Sequence, residues 1–164
     1  MFITTYAATW FLPFVLPICF WVAYTDLRDM KITNKAVMTL VAVYAVIGLI
    51  ALPFDIWAWR WVHLVVVLVA GIALNAIGAL GAGDAKFAAA AAPFIAIGDL
   101  KLILLILAAT AFFGYIIHRI AKHSPLRRLA PDWTSWTRKG KYPMGLSLGG
   151  ALGIYIIQGV LNGA

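Results

Sequence analysis
Uncharged apolar runs, each close to the length of a bilayer crossing, alternate along this chain with short polar breaks. Runs over 6–25, 36–52, 62–80, 102–118 and 144–161 hold no Asp, Lys or Arg. A stretch of about 20 apolar residues crosses the hydrocarbon core as a helix. The runs do not alternate in period two, and most are apolar all round, as membrane-buried helices are. Pro13 and Pro17 lie in the first run, and membrane helices tolerate such kinks. A further segment, 85–97, is rich in Ala, contains Pro93 and is short for a full span. The breaks fall at 26–35, at 53–61 with Trp57, Trp59 and Trp61, at Gly81–Asp84, around Gly98–Lys101, and at 119–141. Three Trp beside a span suggest an interfacial aromatic belt. The pattern predicts an all-α integral membrane protein, a six-transmembrane-helix bundle in a single membrane domain over 1–164.

Composition sharpens this picture. Of 164 residues, 64% are hydrophobic and 12% charged, against roughly 25% charged in soluble domains. Mean hydropathy is +0.95. A soluble chain this short leaves too much surface in water to bury that apolar load, so a soluble enzyme, a disordered chain and a disulfide scaffold are excluded. No basic residue precedes the first run, so it is expected to be a retained span and not a cleaved signal. Cys19 is the single cysteine. It permits no internal disulfide or CxxC zinc site and reads as a small buried residue.

The net charge of +7 changes meaning once its distribution is read. Six spans put the loops around 26–35, 81–86 and 119–141 on one side. That side carries Arg28, Lys31, Lys35, Lys86, Arg119, Lys122, Arg127, Arg128, Arg138, Lys139 and Lys141, and the other only Arg60 and Lys101. The positive-inside rule then predicts cytoplasmic basic loops and both termini outside. Dropping the 85–97 segment would move the 119–141 loop to the wrong face, so charge supports that weak span. The bias also explains the basic pI without nucleic acid. It leaves the lipid bilayer as a partner, with the 119–141 loop expected to be solvated and close to anionic headgroups.

The chain has no Glu and six Asp. Asp26 ends the first span and Asp84 begins the fourth, so both are expected at one membrane edge. Acids at membrane depth are functional candidates. Two at one level can share a water and a proton, one protonated and one acting as base; alternatively each caps a helix or reaches to water. Asp84 at a helix N-terminus and Asp26 at a helix C-terminus predict Asp84 as the anion and Asp26 as the proton holder. Asp29 is expected to pair with Arg28 or Lys31, Asp55 and Asp99 to solvate outer loops, and Asp132 to sit in a turn. Gly81 and Gly83 permit a tight turn and close backbone approach, or small-residue helix packing. His63, His118 and His123, without Glu or a second Cys, offer little to a metal. No metal and no cofactor is expected. A small proton- or ion-coupled transporter, with Asp26 and Asp84 as ligands, and a non-catalytic assembly subunit are the rival classes.

The run from Asp26 through Ile32, Thr33 and Asn34 resembles the D-x5-I-P-N signature of type IV prepilin peptidases. Gly81-Ala82-Gly83-Asp84-Ala85-Lys86 is similar to their GxGDxK motif, and the segment from Lys141 through Pro143 and Gly145 to Gly149 is similar to the opening of their last helix. The resemblance implies a GxGD-type membrane aspartyl protease with Asp26 and Asp84 as the catalytic pair. It implies Gly81, Gly83, Lys86, Ile32, Asn34, Pro143 and Gly145 as motif support. It further implies removal of the short basic leader of prepilin-like proteins, just before their hydrophobic helix, at the cytoplasmic face of the inner membrane. Thr33 stands where Pro is usual. The CxxC-bearing region of the long members is missing, so N-methylation is not expected, and the chain resembles the short form serving tight-adherence (Flp-type) pili, with archaeal preflagellin peptidases a sister group.

Overall fold
The computed structural model describes residues 1–138 and 141–164. Its helices are α1 (Thr5–Asp29), α2 (Asn34–Ala51), α3 (Phe54–Ala76), α4 (Ala82–Ala91), α5 (Leu100–Lys122), α6 (Thr134–Thr137) and α7 (Met144–Asn162), and no strand occurs among the described residues. Five are long and apolar enough to cross a membrane: α1, α2, α3, α5 with its leading turn, and α7. The fourth apolar segment is a ten-residue helix continued by 3₁₀ turns at Ala92–Phe94 and Ile97–Asp99. Pro93 explains the break, since it has no N–H to give and its ring crowds the preceding turn.

The 53–61 break is not a loop. Pro53 caps α3, whose first turns carry the three Trp. Trp59 alone among them is exposed. Trp57 and Trp61, one turn apart, pack inward. Tyr44 Oη donates to Trp57 O at 2.9 Å and Trp57 Nε1 donates to Tyr44 O at 3.3 Å, closing the α2–α3 hairpin.

The core is built around α1 against α7, with α2 and α4 flanking. Phe94 stands edge-on to Phe11 and Tyr44, with ring centroids 4.9 and 5.3 Å away. Glycines at four-residue spacing let α7 approach α1. A Cβ on Gly149 would lie 2.8 Å from the carbonyl oxygen of Cys19, and one on Gly153 would touch Leu16. Cys19 is buried in this seam.

At one end of the bundle the termini meet. Thr5 N–H donates to Ala164 O and Ala164 N–H to Ile3 O, both at 3.1 Å. Asp99 is here, and it does not solvate a loop: it is 4% exposed. Its carboxylate accepts from Phe2 N–H at 2.9 Å, Ile3 N–H at 3.0 Å and Tyr155 Oη at 2.9 Å. Arg60, also buried, donates to the carbonyls of Pro93 and Phe94. Buried charges need such partners. Asp55 stays exposed.

The 119–141 segment also departs from a solvated loop. It forms a 3₁₀ turn (Pro125–Leu129) and α6, and Ser135 and Trp136 are buried. The Trp136 ring stacks on His118 at 5.0 Å, and its Nε1 donates to Ala130 O at 2.8 Å. Lys139 lies outside the described residues. Arg28 pairs with Asp29 at 2.9 Å on the surface, as expected of that acid.

The glycine seam yields a stability prediction. Gly149→Ala drives a methyl into the α1 backbone and should cost about 1–3 kcal/mol. Gly150→Ala meets only Thr110, at 3.7 Å, and should stay within about 0.5 kcal/mol of wild type. Unfolding in detergent compares the two, and equal stabilities would refute close α1–α7 contact at Gly149.

Candidate active site
Three chain segments converge at the end of the bundle opposite the termini. The first is the end of α1. Asp26 lies one turn before the helix stops and is 6% exposed. The helix closes at Met30, in the left-handed conformation at φ 55°, whose N–H donates to Asp26 O at 2.9 Å. That bend turns the chain so that Thr33 can start α2, its hydroxyl accepting from Ala36 N–H at 3.3 Å. Thr at this position supplies an N-cap, a role Pro lacks the side-chain oxygen for.

The second segment is the start of α4. Gly81 is its N-cap and Asp84 its third residue. The Asp84 carboxylate accepts from the Gly81 N–H, the return half of a capping box. Gly83 lets α4 sit on the turn after α1: a Cβ there would be 3.3 Å from Ile32 Cβ. Lys86 Nζ donates to Asn34 Oδ1 at 3.3 Å, joining the same two segments at the surface.

The third is the start of α7. Pro143 caps the helix without a side-chain hydrogen bond. Gly145 N–H donates to Asp26 Oδ2 at 2.6 Å. A Cβ on Gly145 would lie 2.8 Å from Asp26 Cβ, so glycine is required for this contact. Tyr142 Oη and Ser147 Oγ are 2.7 Å apart, and Ser147 Oγ donates to Thr110 O at 3.2 Å, tying this turn to α5.

All nine residues singled out in the sequence thus gather at one end: Asp26, Ile32, Asn34, Gly81, Gly83, Asp84, Lys86, Pro143 and Gly145. Sequence reasoning missed Tyr142 and Ser147. Their signal was slight, a Tyr before Pro143 and a hydroxyl one turn into an apolar helix.

The two acids feel each other. Burial, and then the neighbouring Asp26 carboxylate, push the Asp84 carboxyl up to about 6, with the Gly81 N–H working the other way. Burial raises the Tyr142 phenol, and Asp26 adds to the rise. Asp26, on the last turn of α1, also meets the first turn of α7, a helix end that the dipole argument did not include. Both carboxyls sit at a helix N-terminus, Asp84 on its own and Asp26 on that of α7.

Residues 13–118 match the family model described as the type IV leader peptidase family. The chain belongs to the type IV leader peptidase family. The match takes in both acids, the Ile32–Asn34 turn and the Gly81–Lys86 segment, and ends before α7. No curated protein and no solved structure gives a significant match. Family membership makes this a multi-pass membrane hydrolase of the prepilin peptidase class, with prepilin-like substrates. It does not favour the transporter.

The pair of acids yields a titration prediction. In Asp26→Asn, the Asp84 carboxyl should titrate below its wild-type value of about 6 and, because burial remains, above its ordinary 3.8. A raised acid pKa means that the folded state holds this proton more tightly than the unfolded chain does. The associated stability is fully present below about 3.8 and lost as pH rises through about 6. Isotope-edited infrared spectra of Asp carboxyls in nanodiscs read both, and an unmoved Asp84 in Asp26→Asn would contradict the coupling.

Proposed function
We propose that this protein is an aspartyl endopeptidase that removes the short basic leader from type IV prepilin-like proteins, with Asp26 and Asp84 as the catalytic pair. One observation carries the reading: the two acids that the family match spans stand at the same end of the bundle, Asp26 against Gly145 of α7 and Asp84 in the first turn of α4. One carboxylate takes a proton from a water, which attacks the scissile carbonyl carbon. The protonated carboxyl gives its proton to the carbonyl oxygen, and the tetrahedral intermediate collapses as the leaving amine is protonated. Asp84 holds the shared proton. Asp26, held by the Gly145 N–H, is the base, the reverse of the order expected from helix position in the sequence. The two protons belong to the coupled pair.

The supporting residues act through the acids. Gly145 and Pro143 set Asp26, while Gly81, Gly83 and Ile32 set Asp84. Lys86 and Asn34 brace the two segments at the surface. The exposed Gly81–Ala82 backbone, which carries only one methyl, leaves room for an extended leader strand. This end lies at the cytoplasmic face of the inner membrane in our reading, with both termini outside, which the eleven-to-two distribution of basic residues supports. We take an Flp-type pilin as the substrate.

Co-expression with a Flp-type prepilin tests the reading. Wild type should release the leader, seen by mobility shift and N-terminal sequencing. Asp26→Asn and Asp84→Asn should each lower the rate by about 10⁴-fold. Gly145→Ala displaces Asp26 without removing it and should cost about 10²-fold, mainly in kcat. Wild-type processing by either Asp→Asn variant would sink the assignment.

A further inference from the structure
One cavity of the protein plays no part in the chemistry above. It is an apolar cleft of about 500 Å³. It exists because α4 is short: α3 leans on α4 and α5 leans on α7, and the two outer helices leave a gap over a recessed floor. Phe87, Ala88 and Ala91 of α4 form that floor, while Val66 and Leu104 stand on the walls. Val66 and Leu104 are 59% and 56% exposed, so the cleft opens sideways, toward lipid in a membrane.

The cleft is in register with the site. Asp84, Phe87, Ala88, Ala91 and Ala92 recur at i, i+3, i+4, i+7 and i+8, which is one face of a helix. The floor therefore begins one turn below Asp84 and follows the same face for about 8 Å at 1.5 Å per residue. It continues past Ile97 to Trp59, which also line a second cavity of about 290 Å³ beside Arg60 at the termini end. The opening thus runs from one turn below Asp84 to the termini end of the bundle. Ala88, Ala91 and Ala92, with Ala151 of α7, put methyl side chains among larger ones such as Phe87 and Leu152 in this lining. Small residues let a second helix backbone come close, whereas a fluid acyl chain has no need of them.

We propose that this cleft receives the hydrophobic helix that follows the scissile bond in the substrate. This rests on the peptidase reading above and extends it. A chain whose scissile carbonyl lies at Asp84 has its next turns over Phe87 and Ala88, and a helix continuing from there lies along Ala91 and Ala92 between Val66 and Leu104. The acids then recognise no side chain of the leader; the depth of the seated helix selects the bond. A prepilin already inserted in the bilayer enters sideways, without leaving lipid.

The test uses vesicles holding the whole protein with either a full-length prepilin or a leader peptide that stops a few residues after the cut. Val66→Trp and Leu104→Trp narrow the cleft from exposed positions, and Leu49→Trp, on exposed α2 surface outside it, is the control. Losing one seated apolar side chain corresponds to about tenfold or more. Val66→Trp and Leu104→Trp should slow full-length processing by that factor and leave the short peptide and the Leu49→Trp control at wild-type rates. A photo-crosslinker at Leu104 should capture the prepilin helix, and one at Leu49 should not. Wild-type processing of full-length prepilin by both wall variants, or equal slowing of both substrates, overturns the proposal. The first result leaves the cleft to lipid, and the second assigns the effect to the acids. Failure of the wild type to cut either substrate removes the peptidase reading and this proposal together.

Discussion
The approach of α7 to α1 at backbone distance is the constraint on which the site depends. Where two membrane helices carry ordinary side chains at their contact, the axes stay apart by the width of those side chains. Here Gly145, Gly149 and Gly153 leave one face of α7 bare, and the Cys19 carbonyl lies where a methyl on Gly149 would be. With no hydrophobic drive between helices in lipid, such van der Waals contact and the hydrogen bonds it allows are what hold them. The same closeness puts a backbone N–H of the first turn of α7 on the Asp26 carboxylate. Packing and chemistry share one stripe of small residues, and a methyl at Gly145 would act on both.

The opposite end is fixed by a different device. Asp99 draws together the first residues of the chain and Tyr155 of α7, and Arg60 of α3 closes on the carbonyls of Pro93 and Phe94, where the helical turn ends. An acid and a base this deep are stable only with their hydrogen bonds met. Both the Pro93 break and the knot around it shorten α4, so the anchoring of one end creates the recess that runs toward the other.

What the sequence revealed followed from signals that are local in the chain. Apolar length gave the spans, and the motif residues gave Asp26, Asp84 and their glycine and Asn34 neighbours. What it hid depended on contacts between distant segments. Asp99 reads as a loop acid next to Gly98 and Lys101, because nothing nearby shows that Phe2 and Tyr155 will surround it. The Trp cluster reads as a loop, because Pro53 does not by itself say that a helix starts there. The 119–141 segment reads as solvated because its charges outnumber its aromatics, yet Trp136 finds His118 on α5. The dipole argument for the acids was incomplete for the same reason: Asp26 also meets the start of α7, more than a hundred residues away.

The short fourth helix brings these constraints together. A full-length helix in its place would fill the space between α3 and α5 and would close the bundle to the bilayer. A ten-residue helix instead brings Asp84 to one edge through a glycine turn that needs no side chains, and its alanine face stays recessed behind that acid. An enzyme cutting beside a hydrophobic segment faces two solvents at once: water must reach the acids, and the segment must stay out of water. Exposed backbone and partly buried carboxyls at the mouth of α4 meet the first need. An apolar face continuing from the same helix meets the second, and the length of α4 sets the distance between the two.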